Sequence, residues 1–469
     1  MFIKFLREHT NIFLLLACGV FAVLFSPFLF AVPYLDGNID FVQSYDFYTG
    51  GFAQYFHHWG SVHPPFKLWM TNSLYALFGM HTFSYNLIGL VFGIVGIISF
   101  FGLVKTISNK KTAELSVFLF TLSPMFIACS LFSMRDFILT SLLLAALYYY
   151  SKKALLLYAV SSSLLLLTKE TGVLLPVSIL FIELLYMKRL LQEQMRYKKI
   201  CLLFMPILTF LGWLLFLNVN HQKAWGDWLF TSTASKGTFY TIAYNLFTFT
   251  FLNQYAYEQW RHLFILNFNW VFWIIFLFGI ILSFFRKNHT GISMKLLRQG
   301  EQKTKTMLVI FFFFLSYVFT VLTIQTYTIS RYILPLVPCM LLGVVWSIKQ
   351  MSGYNRHVGI LMSGIVLGIT ILSLFFSIDP LSISIWKTTT VFDQQLYGVN
   401  NGLSGNDAIT YNMQYLFVAK KRSDILLNHP GMHLNPSECD WLLKDPNNDN
   451  QTFHILHISA YLNSCNLAQ

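Results

Sequence analysis

Charge is what this chain has least of. Only 11% of its 469 residues are Asp, Glu, Lys or Arg, whereas a soluble domain carries about 25%. That shortfall excludes an ordinary water-soluble globular protein. The formal net charge of +12 is therefore not read as nucleic-acid affinity, because where the charges lie matters more than their sum. No Gly-rich loop of the GxGxxG or GxxxxGK type is present, which argues against a cytoplasmic nucleotide-sugar site or an ATPase. No two of the six cysteines form a CxxC pair. Cys18, Cys129, Cys201 and Cys339 read as small buried apolar residues. Cys439 and Cys465 lie in a polar tail and are placed to bridge if that tail is extracytoplasmic. No small-residue cleavage site follows the apolar run Ile12–Val32, so it reads as a signal anchor rather than a cleaved leader. Neither an internal repeat nor a low-complexity segment is visible.

What the chain does have is apolar and aromatic residues, 55% and 18% of it respectively. Apolar runs predict about eleven membrane spans, near 11–33, 83–104, 113–132, 137–151, 153–168, 171–187, 200–219, 263–285, 307–325, 332–348 and 358–377. With the N-terminus inside, the cytoplasmic segments hold 20 of the 32 Lys and Arg residues and the outer loops hold 7, a positive-inside asymmetry. An odd span count then puts the C-terminal tail outside. Two domains are expected: a mainly α, polytopic helical bundle over 1–377, and an extracytoplasmic cap over 378–469. The cap mixes short apolar runs with turn signals and reads as a small α/β or α+β unit. It contains a sequon, Asn450-Gln451-Thr452, usable only in a eukaryotic secretory route. A bacterial inner membrane is the first expectation for location and the endoplasmic reticulum the second.

The first outer loop, 33–82, carries the most telling pattern. On a helical wheel, Phe41, Tyr45, Tyr48, Phe52, Tyr55, Phe56 and Trp59 fall within roughly 60° of one line. Asp46 lies on the opposite face, and His63-Pro64-Pro65 ends the helix. This predicts an interfacial helix that presents Asp46 just outside the membrane. Charges at the outer ends of spans mark the same level: Asp136 directly after Arg135, Lys169-Glu170, and Arg331. Ionisable groups at such depth are costly, and function is the usual reason to keep them; the bland alternative is that they anchor spans and snorkel to water. The set suits transfer from a lipid phosphate. A carboxylate activates an acceptor hydroxyl, and Arg331, Lys169, His63 and Lys67 are candidates to hold the phosphate. Asp36 and Asp40 compete with Asp46 as the base, and a divalent cation between them is conceivable; a solvated acidic loop is the favoured expectation for both. His57-His58 is a poor metal pair, because adjacent helical residues diverge.

At this point the pattern resembles the GT-C glycosyltransferases. More narrowly it is similar to the dolichyl-phosphate-mannose protein mannosyltransferase-like group together with the bacterial lipid A aminoarabinose transferase. Four blocks carry the resemblance in family order: YDFYTGGFAQYFHHWGSVHPPFKLWMTNSLYALFG, TLSPMFIACSLFSMRDFILTSLLLAALYYY, LLLLTKETGVLLP and SRYILPLVP. The resemblance implies a polyprenyl-phosphate-sugar donor, an outward-facing site and inversion at the anomeric carbon. Asp46 matches the family's first-loop acid and Asp136 its second. Two positions depart: Phe47 stands where an acid often follows the first Asp, and His63 stands where Lys often precedes Pro-Pro. The function expected is an integral-membrane glycosyltransferase that moves a sugar to a lipid-linked glycan, lipid A or protein hydroxyl. The rival from another class is a transporter or flippase, disfavoured by the absence of a repeat and by polar groups gathered at one surface. A non-catalytic scaffold is the third reading.

Overall fold

The computed structural model describes residues 11–26, 29, 40, 44, 47–48, 64–79, 82–131, 133–186, 196–219, 244, 247–248, 270–285, 302–324 and 330–375. Among them the regular structure is helical: α1 Ile12–Phe25, α2 Phe66–Phe78, α3 Thr82–Ile107, α4 Lys110–Thr121, α5 Pro124–Leu131, α6 Arg135–Ser151, α7 Leu155–Leu166, α8 Leu174–Leu185, α9 Arg196–Val219, α10 Trp270–Phe285, α11 Gln302–Ile324, α12 Val337–Tyr354 and α13 Arg356–Phe375, with 3₁₀ turns at Glu170–Val173 and Ser330–Leu336. Each apolar run read from the sequence carries helix. By length and composition Phe83–Ile107, Tyr197–Phe216, Gln302–Thr320 and Tyr332–Tyr354 are able to cross a membrane, and Ile12–Phe25, Leu155–Leu166, Trp270–Leu282 and Arg356–Leu372 are shorter apolar helices. The molecule is a multi-pass membrane protein.

One expected span differs in form. The run 113–132 is two helices, α4 and α5, broken at Leu122-Ser123 before Pro124. Proline has no N–H to continue the ladder and its ring collides with the preceding turn. The C-terminal unit 378–469, with Cys439 and Cys465, lies outside the described residues. The cysteine expectation needs correction at one position: Cys129 is buried and Cys18 and Cys339 half-buried, but Cys201 is exposed. It sits on the outer face of α9, where Leu208 and Leu215 are also exposed; in lipid a thiol on that face is as well matched as a leucine.

α6 is the axis of the bundle. Every residue from Arg135 to Leu147 is buried, so this helix is enclosed on all sides. α3 and α7 pack along it, and the Ser330–Leu336 turn packs against it as well. Close approach of α3 depends on Gly96, where an added Cβ would sit 2.9 Å from Ser141 Oγ. Small residues at helix contacts are how membrane bundles gain van der Waals packing, since lipid supplies no hydrophobic drive between helices. A second close contact is made by Gly93, whose Cβ would fall 2.1 Å from the Phe21 ring of α1. The outer helices show the complementary pattern, with Val23, Leu215, Ile274 and Ile360 each more than half exposed.

Because consecutive helices run up and down, α6 has two chemically distinct ends. Arg135 and Asp136 open it, and Tyr150 and Ser151 close it. Fourteen residues separate Asp136 from Tyr150, about 21 Å at 1.5 Å per residue. The Asp136 end also receives the start of α2, the start of α3, the end of α7 and the Ser330–Leu336 turn. The Glu183 end receives Lys199 and Lys305, whose ammonium groups lie 3.5 and 2.9 Å from the Glu183 carboxylate. The described cations counted to one side of the membrane from the sequence are at this second end.

Candidate active site

Arg135 and Asp136 are delivered by a tight turn. Ser133 N–H donates to Ser130 O (2.9 Å) and Met134 N–H to Cys129 O (3.2 Å), and Ser133 adopts φ +47°. A non-glycine residue in the left-handed region is uncommon and costs energy; here it reverses the chain between α5 and α6. Asp136 lies in the first turn of α6, where the helix dipole favours a carboxylate. As neighbours on a helix, Arg135 and Asp136 point about 100° apart and find different partners.

Arg135 reaches back to Asp40. Its Nε donates to Asp40 Oδ2 at 3.2 Å and its Nη2 donates to Oδ1, a two-pronged guanidinium–carboxylate pair. The same carboxylate accepts from Lys67 Nζ at 2.6 Å. Lys67 is in the first turn of α2, immediately after Pro64-Pro65, with Pro65 as N-cap. Its ammonium also donates to Tyr85 Oη at 2.7 Å, in the first turn of α3. Asp40 is 6% exposed and Lys67 0%. Burial alone would raise the Asp40 pKa, but the guanidinium and ammonium outweigh it and hold the carboxyl well below the usual carboxylate range. The expectation of a solvated acidic loop at Asp40 is therefore corrected: the acid is enclosed and paired because two cations from distant elements close on it.

Asp136 accepts from Lys169 Nζ at 2.6 Å. Lys169 caps the Glu170–Val173 turn in an extended conformation, which lets its side chain run back to α6. Its ammonium stands 4.1 Å from the centre of the Tyr332 ring, a cation–π contact. The two halves are tied by backbone as well: Phe66 N–H, beside Lys67, donates to Leu167 O at 2.9 Å, two residues before Lys169. Glu170 is half-buried, and its charge attracts Arg135.

The structure thus brings together Asp40, Lys67, Asp136, Lys169 and Glu170 from the sequence-predicted set. Arg331 contributes backbone to the Ser330–Leu336 turn, one residue from Tyr332; its side chain lies outside the description. Asp46, His63 and Asp36 also lie outside the described residues, as do His57 and His58. Sequence reasoning named Arg135 only as the neighbour of Asp136, and Tyr85 and Tyr332 were missed. The signal for Arg135 was present, since a guanidinium beside an acid at a span mouth needs its own counter-charge. Nothing in the sequence singles out Tyr85 from 24 tyrosines, and Tyr332 stands in the SRYILPLVP block with no role given to it. Glu183, enclosed at the far end by Lys199, Lys305 and Tyr150 Oη (2.8 Å), was missed too. Among the described residues no group of three His, Cys, Asp or Glu is placed to hold a metal ion.

Residues 62–213 match the family described as dolichyl-phosphate-mannose-protein mannosyltransferase, a segment that includes Lys67, Arg135, Asp136 and Lys169. The crystal structure of ArnT from Cupriavidus metallidurans bound to undecaprenyl phosphate superposes with a TM-score of 0.51 at 14% identity, covering 97% of this chain and 76% of that one. Its apo form gives 0.50 at 15% identity, with 97% and 75% covered. The chain shares the fold of ArnT. This agrees with the resemblance read from the four sequence blocks. The Archaeoglobus fulgidus oligosaccharyltransferase in the apo form is also similar, with a TM-score of 0.46 at 12% identity and 86% and 59% of the two chains covered. Curated protein sequences return no match.

Proposed function

We propose that this protein is an integral-membrane glycosyltransferase that moves a sugar from a polyprenyl-phosphate donor to a hydroxyl acceptor, with inversion at the anomeric carbon. One observation carries the reading: the buried cluster of Asp40, Lys67, Arg135, Asp136 and Lys169 at one end of the bundle, four of its five members inside the mannosyltransferase match. The undecaprenyl phosphate bound to ArnT supports a donor of that chemical class here.

In the step proposed, Asp46 takes the proton of the acceptor hydroxyl, and the acceptor oxygen forms a bond to C1 of the sugar. The C1–O bond to phosphate breaks and its electron pair stays on the phosphate. The departing group gains negative charge, so cations placed around it stabilise the transition state more than the ground state. Arg331 and Lys169 take that role, with His63 and Lys67 as further contacts. An ammonium has three donors; one of Lys169's goes to Asp136, which aims the others. Asp40 aims Arg135 and Lys67 in the same way. A divalent cation held by Asp36 and Asp40 would compete with Arg135 and Lys67 for the Asp40 carboxylate. The site faces the outer side of a bacterial cell membrane, opposite the lysine-rich end, with the N-terminus cytoplasmic. The acceptor is a lipid-linked glycan, lipid A or a protein.

The test is transfer from a radiolabelled polyprenyl-phosphate sugar in proteoliposomes. Covalent transfer that Asp46→Asn abolishes supports the reading. Labelled substrate crossing the bilayer without transfer would instead favour a flippase.

A further inference from the structure

The end of the bundle remote from the candidate active site holds a cavity of about 720 Å³ between α3, α10, α11 and α12. Its volume lies within the roughly 300–1,000 Å³ of small-molecule sites. Its walls are apolar and aromatic, with Trp273, Phe276, Phe311, Phe314 and Cys339 among them. Its mouth is polar and basic: Lys303 opens α11, Lys349 lies in the last turns of α12, and Ser108 and Gln350 complete the rim. Lys349 Nζ donates to Ser108 Oγ at 3.4 Å, which draws the ammonium over the opening. Among the described residues no Asp or Glu lines the cavity.

Depth and charge together select the occupant. From Lys303 to Leu315 along α11 is twelve residues, about 18 Å, and from Lys349 to Cys339 along α12 is ten residues, about 15 Å. One leaflet of a bilayer contributes about 15 Å of hydrocarbon, half of a core about 30 Å thick. The groove therefore runs the depth of a single leaflet, with its two lysines at head-group level. We propose that this groove is a binding site for one anionic phospholipid, its phosphate between Lys303 and Lys349 and one acyl chain along the aromatic wall. Lysines at helix ends face head groups in any membrane protein. What distinguishes this pair is that both flank the mouth of a leaflet-deep apolar slot with no acid among its described lining residues, the arrangement in which a basic pocket between spans holds an acidic head group.

The experiment is native mass spectrometry of the full chain, purified in detergent and stripped of lipid, titrated with phosphatidylglycerol or phosphatidylcholine of matched acyl chains. The wild type is expected to retain one phosphatidylglycerol per chain about 30-fold more tightly than phosphatidylcholine, the effect of two basic side chains near an anionic head group. The double variant Lys303→Gln, Lys349→Gln is expected to lose that preference. The control Lys110→Gln, Lys111→Gln, which removes two exposed lysines at the same end outside the groove, is expected to keep it. The proposal is overturned if the wild type shows no preference, if the groove variant keeps it, or if the control loses it equally. Glycerol 3-phosphate displacing the lipid at equal concentration would also overturn it, because the acyl chain along the aromatic wall would then add nothing to binding. All four lysines are exposed, so size-exclusion elution unchanged from wild type is expected for both variants.

Discussion

Lys67 and Asp40 meet at 2.6 Å inside the protein, with the lysine wholly enclosed and Arg135 closing on the same carboxylate from 95 positions away. A buried carboxylate shared by two cations is more than a local ion pair. It is the point where the first loop, α2 and α6 are held in one geometry.

Removing that carboxylate should therefore cost more than losing it at a surface. Asp40→Asn leaves Arg135 and Lys67 enclosed with their shared counter-charge gone, and breaking a buried pair from one side costs about 3–5 kcal/mol. A clear fall in the midpoint of thermal unfolding in detergent is expected. The paired change Asp40→Leu, Lys67→Met should recover part of it, because it removes a charge of each sign together. A midpoint equal to wild type in Asp40→Asn would show that the cluster does not hold the loop.

The same carboxyl sets an acid limb. Its native pKa lies below the ordinary value of 3.8, so between the two values the unfolded chain binds more protons than the folded one. Stability from this group is present in full above about pH 4 and is lost as pH falls below it. Wild type should lose unfolding midpoint steeply over that range in detergent. Asp40→Asn should show a shallower decline.

Lys169 is the residue whose loss should separate chemistry from folding. Lys169→Met removes a positive charge next to the proposed phosphate, and deleting one preorganised charged donor typically costs about 10²–10³ in turnover. Lys169→Arg should restore charge but not rate, because a longer, planar guanidinium donates in a fixed fork and cannot aim its donors at both Asp136 and the phosphate from the position of the compact ammonium. Turnover in proteoliposomes, normalised to folded protein, is the measurement. Near-normal turnover in Lys169→Met would remove Lys169 from the phosphate site.

Glu183 should behave in the opposite way. It is 2% exposed and faces Lys199, Lys305 and Tyr150 about 21 Å from Asp136. Glu183→Gln should lower thermal stability by about 3 kcal/mol. Transfer per folded molecule should be unchanged, which a ligand-free unfolding curve and a rate assay on the same preparation will distinguish.

Much of this architecture is legible in the residues because apolar periodicity and length control it. Each apolar run carries helix, Lys169 and Asp136 stand out as charges at the outer ends of spans, and Lys67 as a candidate phosphate contact. The partners were less legible. That Asp136 takes Lys169, while Arg135 turns to Asp40, depends on the 100° step between neighbours on α6 and on the left-handed turn at Ser133, neither of which leaves a compositional trace. Asp40 looked like part of a wet loop because nothing nearby in sequence covers it; the cover comes from α2 and α6. Tyr332 lies in a block the resemblance quoted, yet its ring is explained only by the position of Lys169. The break before Pro124 is not legible in this way, because the run 113–132 is apolar on both sides of that proline and reads as one span.

The long separation between Asp40 and Arg135 has a consequence for biogenesis. As the chain leaves the ribosome, Asp40 and Lys67 emerge well before Arg135, and the third partner arrives only with the helix that becomes the bundle's axis. Until then one lysine faces the acid alone. Entry of α6 into the membrane is thus the event that locks the earlier segments in place, so a truncation ending before residue 135 should present this loop to the cell's quality-control proteases, while one ending after α6 should shield it.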